Sequence, residues 1–68
     1  MQTLIFYTTE KRVVLMSEIM GGYELISFDN VPTVKIEDGY YEVMQKTDTN
    51  TIPVLRVPIS NTNMLIKK

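Results

Sequence analysis

The sequence predicts an all-β domain, a small antiparallel meander or partly open barrel of five to seven short strands. Three observations predict it. Apolar runs are short and are broken by turn chemistry at close intervals, with no low-complexity tract and no internal repeat. Asp38-Gly39 stands between two β-rich flanks, a strong signal for a tight hairpin. Finally, 68 residues without a cysteine leave room for one core and no disulfide to support it, so residues 1–68 are read as a single small β domain. The competing prediction is α+β, with one helix over residues 10–20 packed on the same sheet.

The first third of the chain is where the two predictions separate. Leu4 to Tyr7 reads as a strand, and Arg12 to Met16 pairs with it across Thr8-Thr9-Glu10-Lys11. For the helix, Thr9 is a fair N-cap, Glu10 falls in a first turn where the dipole favours it, and Gly21-Gly22 is a good stop. Val13, Leu15, Met16, Ile19 and Met20 then share about half of the helical circumference. Against it, adjacent Val13-Val14 favours a strand because β-branching restricts χ1. An intermediate solution ends the strand at Met16 and adds one helical turn capped by Ser17. From Gly22 the chain enters a further strand, Tyr23 to Phe28, closed by Asp29-Asn30-Val31-Pro32.

Between Thr33 and Met44 a two-residue type I′ turn at Asp38-Gly39 fixes the register. Glu37 faces Tyr40, Ile36 faces Tyr41, Lys35 faces Glu42, Val34 faces Val43 and Thr33 faces Met44. Val34, Ile36, Tyr41 and Val43 fall on one face and are expected inward, while Lys35 and Glu42 make an opposite-charge pair on the other. A polar stretch, Lys46 to Thr51, leads to IPVLRVPI, in which Leu55, Val57 and Ile59 are expected inward and Val54, Arg56 and Pro58 outward. Pro53 and Pro58 lack an N–H donor, which confines them to an edge or to strand ends. Met64-Leu65-Ile66 makes a last short strand.

The chemistry that this composition allows is narrow. Without histidine or cysteine there is no zinc site of the usual kind and no Cys–His pair. The eight carboxylates are scattered along strands and loops, with Glu37 and Asp38 at an exposed tip. Thr49, Thr51, Ser60 and Thr62 have no histidine to activate them. Gly21-Gly22 lacks the spacing and lysine of a phosphate loop, and Asp48-Thr49-Asn50 lacks the glycine and the terminal glutamate of a calcium loop. We therefore expect no enzyme, no cofactor and no metal. No segment approaches the roughly 20 apolar residues of a membrane span, and the opening MQTLIFYTTEKR has neither the charge nor the cleavage site of a secretory signal. A cytoplasmic location is expected.

Two surfaces remain as binding candidates. On the register above, Thr33, Tyr40 and Met44 point away from the core, and Tyr and Met are enriched at interface centres, so these three form the candidate protein-contact patch. Alternatively, Tyr23, Lys35, Tyr41, Lys46 and Arg56 supply the aromatic and basic groups of a nucleic-acid platform, although a net charge of −1 weighs against phosphate binding. Charge is also uneven along the chain. Glu18 to Glu42 holds six acids against Lys35, whereas the remainder to Lys68 holds four bases against Asp48.

Pro58-Ile59-Ser60-Asn61, after an apolar strand and before a short final one, resembles the Pro-Ser-Asn turn near the end of SH3 domains, with an isoleucine inserted. The resemblance implies an SH3-like barrel. It implies no proline-rich ligand, since the chain has no ALYDY-like segment and no tryptophan. The expected function is that of a non-enzymatic protein-interaction protein: an adaptor, inhibitor or assembly component, of the kind a phage or other mobile element encodes. Its partner is expected to be another protein or a second copy joined through a sheet edge. A small-barrel nucleic-acid binder is the alternative.

Overall fold

The computed structural model describes residues 2–68, and the side chains of all of these except 61–66. Seven strands follow one another as β1 (Gln2–Tyr7), β2 (Arg12–Ile19), β3 (Gly22–Phe28), β4 (Thr33–Glu37), β5 (Tyr40–Lys46), β6 (Thr51–Pro58) and β7 (Thr62–Lys67), with a 3-10 turn at Ile59–Asn61 before the last. They form two sheets, ordered β3-β2-β1-β7 and β4-β5-β6. The all-β class is as predicted, and every ladder is antiparallel except one. That exception is β7, which lies parallel to β1, with Thr3 beside Met64 and Phe6 beside Lys67. A parallel neighbour cannot be joined by a tight turn, and here the connection between the two strands contains both hairpin systems.

The helix over residues 10–20 does not form, and neither does the helical turn after Ser17. β2 continues to Ile19, paired along its length with β1 on one side and β3 on the other. The physical reason is the period. Val13 and Leu15 are buried in the core while Val14 and Met16 take the opposite face, so an alternation of two places all four apolar residues. A helix would have left Val14 on its polar side. Lys11, at φ 55°, closes the four-residue β1–β2 loop, and Gly21, at φ 86°, takes the position of the β2–β3 turn that a type II turn reserves for positive φ.

Asp38 and Gly39 both have positive φ, 50° and 79°, as a type I′ turn requires. The β4–β5 register is the one counted outward from that turn, from Glu37↔Tyr40 to Thr33↔Met44. Two inward assignments change. Ile36 sits on the edge strand two residues from the turn and is 67% exposed. Val54, expected outward, packs on the core next to Leu55, because β6 is bulged. Val43 pairs with Leu55 but Met44 pairs with Pro53, leaving Val54 as the extra residue and turning it inward.

Leu4, Phe6, Val13 and Leu15 from the larger sheet meet Val43 and Val57 from the smaller one, and each fully buried side chain contributes about 1.5–3 kcal/mol. A seventh core residue comes from a loop. Val31, between β3 and β4, is fully buried, and hydrogen bonds hold its segment at both ends. Val31 N–H donates to the Lys11 carbonyl at 2.9 Å, Lys46 N–H donates to the Asn30 carbonyl at 2.7 Å, and Gln45 Nε2 donates to the Asp29 carbonyl at 2.8 Å. The crossing between the sheets is thereby tied to the first hairpin and to the end of β5.

Candidate functional site

Three cross-strand rows build the outer face of the smaller sheet: Thr33–Met44–Pro53, Lys35–Glu42–Arg56 and Glu37–Tyr40–Pro58. The middle row is internally satisfied. Arg56 Nε lies 3.3 Å from Glu42 Oε2, and its guanidinium carbon sits 4.3 Å above the Tyr40 ring, a cation–π distance. Glu42 is consequently only 16% exposed.

The candidate contact patch is therefore not assembled as expected. Thr33 is exposed and Tyr40 half-buried under Arg56, but Met44 is only 7% exposed and does not present a surface. β5 is the central strand of its sheet, so Met44 is flanked on one side by Thr33 and on the other by Pro53, and its long unbranched side chain lies covered among its neighbours.

The five nucleic-acid candidates are not brought together either. Tyr41 turns inward and packs on the core. Lys35 and Arg56 share a row, but Glu42 lies between them and pairs with Arg56. Tyr23 belongs to the other sheet. Lys46, at the end of β5, borders a broad open cleft of about 640 Å3 lined also by Lys11, Asn30, Pro32, Thr47 and Asp48. Among the described residues no group of three acidic side chains is placed to hold a metal ion, and no helix is long and apolar enough to cross a membrane.

The apolar surface lies instead on the larger sheet. Its inner face supplies the core, yet its outer face is also apolar, carrying Ile5 and Tyr7 on β1, Val14 and Met16 on β2, and Tyr23 and Leu25 on β3. Leu25 is 64% and Tyr23 62% exposed. Beyond them the β2–β3 hairpin exposes Ile19 and Ile26 on the other face and Met20, fully, at its tip. Five of the seven large apolar side chains that stand exposed among the described residues belong to this one hairpin, so the exposure is concentrated rather than scattered. These five divide between the two faces of the hairpin and its tip, with Tyr23 and Leu25 on the outer face.

The sequence does carry a signal for it. Leu4-Ile5-Phe6-Tyr7 and Val13-Val14-Leu15-Met16 are uninterrupted apolar runs, whereas a strand with one solvated face alternates.

No protein-family model matches the chain, no curated protein matches it, and no solved structure matches it.

Proposed function

We propose that this chain is a small non-enzymatic protein-interaction protein, an adaptor, inhibitor or assembly component working in the cytoplasm, of the kind carried by phages and other mobile elements. The observation that supports it is the concentration of exposed apolar side chains on the β2–β3 hairpin and the outer face of its sheet. A domain this small has little apolar surface to spare, and an uncovered face of this kind is offset only when a partner removes it from water. The SH3-like character of the barrel belongs to the same proposal and is supported by the 3-10 turn at Ile59–Asn61 before the last strand; it brings no ligand with it.

The test is retention of partners by the tagged chain from a host lysate, with nuclease present and absent, in parallel with Leu25→Glu. Near-stoichiometric retention of one protein that survives nuclease and is lost with Leu25→Glu supports the proposal. Retention that disappears with nuclease moves the function to nucleic-acid binding, and retention indifferent to Leu25→Glu removes the surface.

A further inference from the structure

We propose that the open edge of β3 pairs with β3 of a second copy of this chain, antiparallel about a two-fold axis at Leu25, so that the two larger sheets join edge to edge into one. This rests on the protein-interaction function proposed above and names the partner and the contact.

The hydrogen-bond phase of the larger sheet shows which backbone groups this edge leaves open. On the β7 side, Thr8 N–H donates to the Lys68 carbonyl and Lys68 N–H to the Phe6 carbonyl. Phe6 thus turns its backbone groups toward β7, and its neighbour Tyr7 turns toward β2. Tyr7 pairs with Arg12, so Arg12 faces β1 and Val13 faces β3, and counting on through the ladder turns Gly22, Glu24, Ile26 and Phe28 toward β2. The two-residue turn at Met20-Gly21 gives the same phase, because such a turn closes on a bonded pair, here Ile19 and Gly22. Tyr23, Leu25 and Ser27 are left with N–H and C=O pointing out of the sheet. The strand is exposed from Gly22 to Ser27, and no loop or side-chain hydrogen bond among the described residues reaches those three.

The other edge strands carry devices that keep a further strand from adding. β4 is five residues long with Lys35 at its centre, β6 holds Pro53 and a bulge, and β7 ends on Lys67. β3 runs for seven residues on a regular ladder, with neither proline nor a basic side chain. What satisfies a row of open N–H and C=O groups is another extended strand, and β3 is its own complement. With the axis at Leu25, Leu25 faces the partner's Leu25, Tyr23 faces the partner's Ser27 and Ser27 faces the partner's Tyr23, so every open group in the row is bonded. Glu24 then stands opposite the partner's Ile26. An axis at Glu24 leaves Ser27 beyond the end of the facing strand and sets two carboxylates directly opposite each other, which is destabilising; an axis at Ile26 leaves Tyr23 unpaired. Self-pairing therefore has one best register, and its two-fold closes the assembly at a dimer. The contact is about 24 Å long, at about 3.4 Å per residue, and about 10 Å thick, or roughly 240 Å2 on each copy in projection. That is well below a permanent interface, so the dimer is a weak one that fills with concentration.

Sedimentation of the purified chain from about 10 μM to about 1 mM, with amide hydrogen exchange followed by NMR at both ends of that range, tests the proposal. The mass is expected to rise from 7.9 kDa toward twice that value. Over the same range exchange at Tyr23, Leu25 and Ser27 should slow about twofold or more, while Glu24 and Ile26, already bonded to β2, stay unchanged. Leu25→Pro removes an outward N–H and no bond to β2, so it is expected to keep the far-UV spectrum and remain monomeric. Leu25→Lys, which sets like charges opposite each other and leaves the backbone alone, should do the same, and Leu25→Val should still dimerise. A monomer at every concentration overturns the proposal. So does a dimer whose three outward amides are not selectively slowed, or one that survives Leu25→Lys. In the first of these cases a nuclease-resistant protein retained by the original chain and lost with Leu25→Glu leaves the interaction function standing, whereas the absence of any retained protein removes both.

Discussion

Replacing Val31 by Ala separates the packing described above from the pattern of the sequence, because Val31 sits in a connection and Ile36 in a strand, yet Val31 is the buried one. The substitution removes two methyl groups from a fully buried side chain. At about 0.8 kcal/mol for each, the lost transfer free energy is about 1.6 kcal/mol. If the segment cannot collapse, a residual cavity of roughly 50 Å3 adds about 1.2 kcal/mol at about 24 cal/mol per Å3. Collapse is hindered, since Val31 N–H and the Asn30 carbonyl are hydrogen-bonded to Lys11 and Lys46. The expected loss is therefore about 1.6–2.8 kcal/mol, a large share of the roughly 3–10 kcal/mol available to a domain of this size. In a melt it appears as a fall in Tm of about 6–22 °C, at about 4–8 °C per kcal/mol. Urea unfolding followed by far-UV circular dichroism, at a low concentration so that association contributes nothing, gives the free energy directly. Ile36→Ala is the comparison, expected within about 0.5 kcal/mol of the original chain because its side chain is already in water. The packing would be refuted by a Val31→Ala loss below about 0.5 kcal/mol, or by an Ile36→Ala loss of equal size.

Other substitutions address single devices. Gly39→Ala puts a Cβ at φ 79° and should cost about 1–2 kcal/mol in urea unfolding, whereas Gly22→Ala, at a position with ordinary φ and open space around it, should change little. Arg56→Ala removes both the Glu42 ion pair and the Tyr40 ring contact; as Arg56 is half exposed, the loss should stay near about 0.5–1 kcal/mol, and a double-mutant cycle with Tyr40→Ala should return a coupling of the same sign. Leu25→Glu should leave Tm within about 3 °C while abolishing retention of a protein partner, so a large drop in Tm would show that Leu25 serves the fold rather than a contact.

What could be read in advance was what is local. Asp38-Gly39 fixes both the turn and the pairing of ten residues around it, because a type I′ turn leaves no freedom of register. Period two in Val13-Val14-Leu15-Met16 is equally present, but Val13, Leu15 and Met16 with Ile19 and Met20 also fit about half of a helical circumference, Val14 alone falling outside it, and only pairing on both edges of β2 decides between them. Met44 and Val54 were misplaced for related reasons. A bulge is invisible to alternation, and the burial of Met44 comes from the strands on either side of it. Val31 gave no periodic signal, lying between Asn30 and Pro32 in a turn-rich stretch. The surface on the larger sheet is legible in the sequence as well: unbroken apolar runs in two neighbouring strands, Leu4 to Tyr7 and Val13 to Met16, place apolar side chains on both faces.

The parallel pairing of β1 with β7 also governs the order in which the molecule assembles. Gln2 meets Thr62 across 60 residues, whereas β1 meets β2 across a loop of four. By the logarithm of loop length, closing the longer loop costs about 2.4 kcal/mol more, so the two three-stranded meanders are expected to form before β7 docks, where Thr8 N–H and its hydroxyl clasp the Lys68 carbonyl at 2.8 and 2.6 Å. Before β7 docks, β1 is a bare edge with an apolar sequence, open to the β7 of a neighbouring molecule once the protein concentration approaches the roughly millimolar effective concentration of its own. Concentrated refolding should therefore yield strand-exchanged dimers that dilution alone does not dissolve, a kinetic hazard set by connectivity rather than by any side chain.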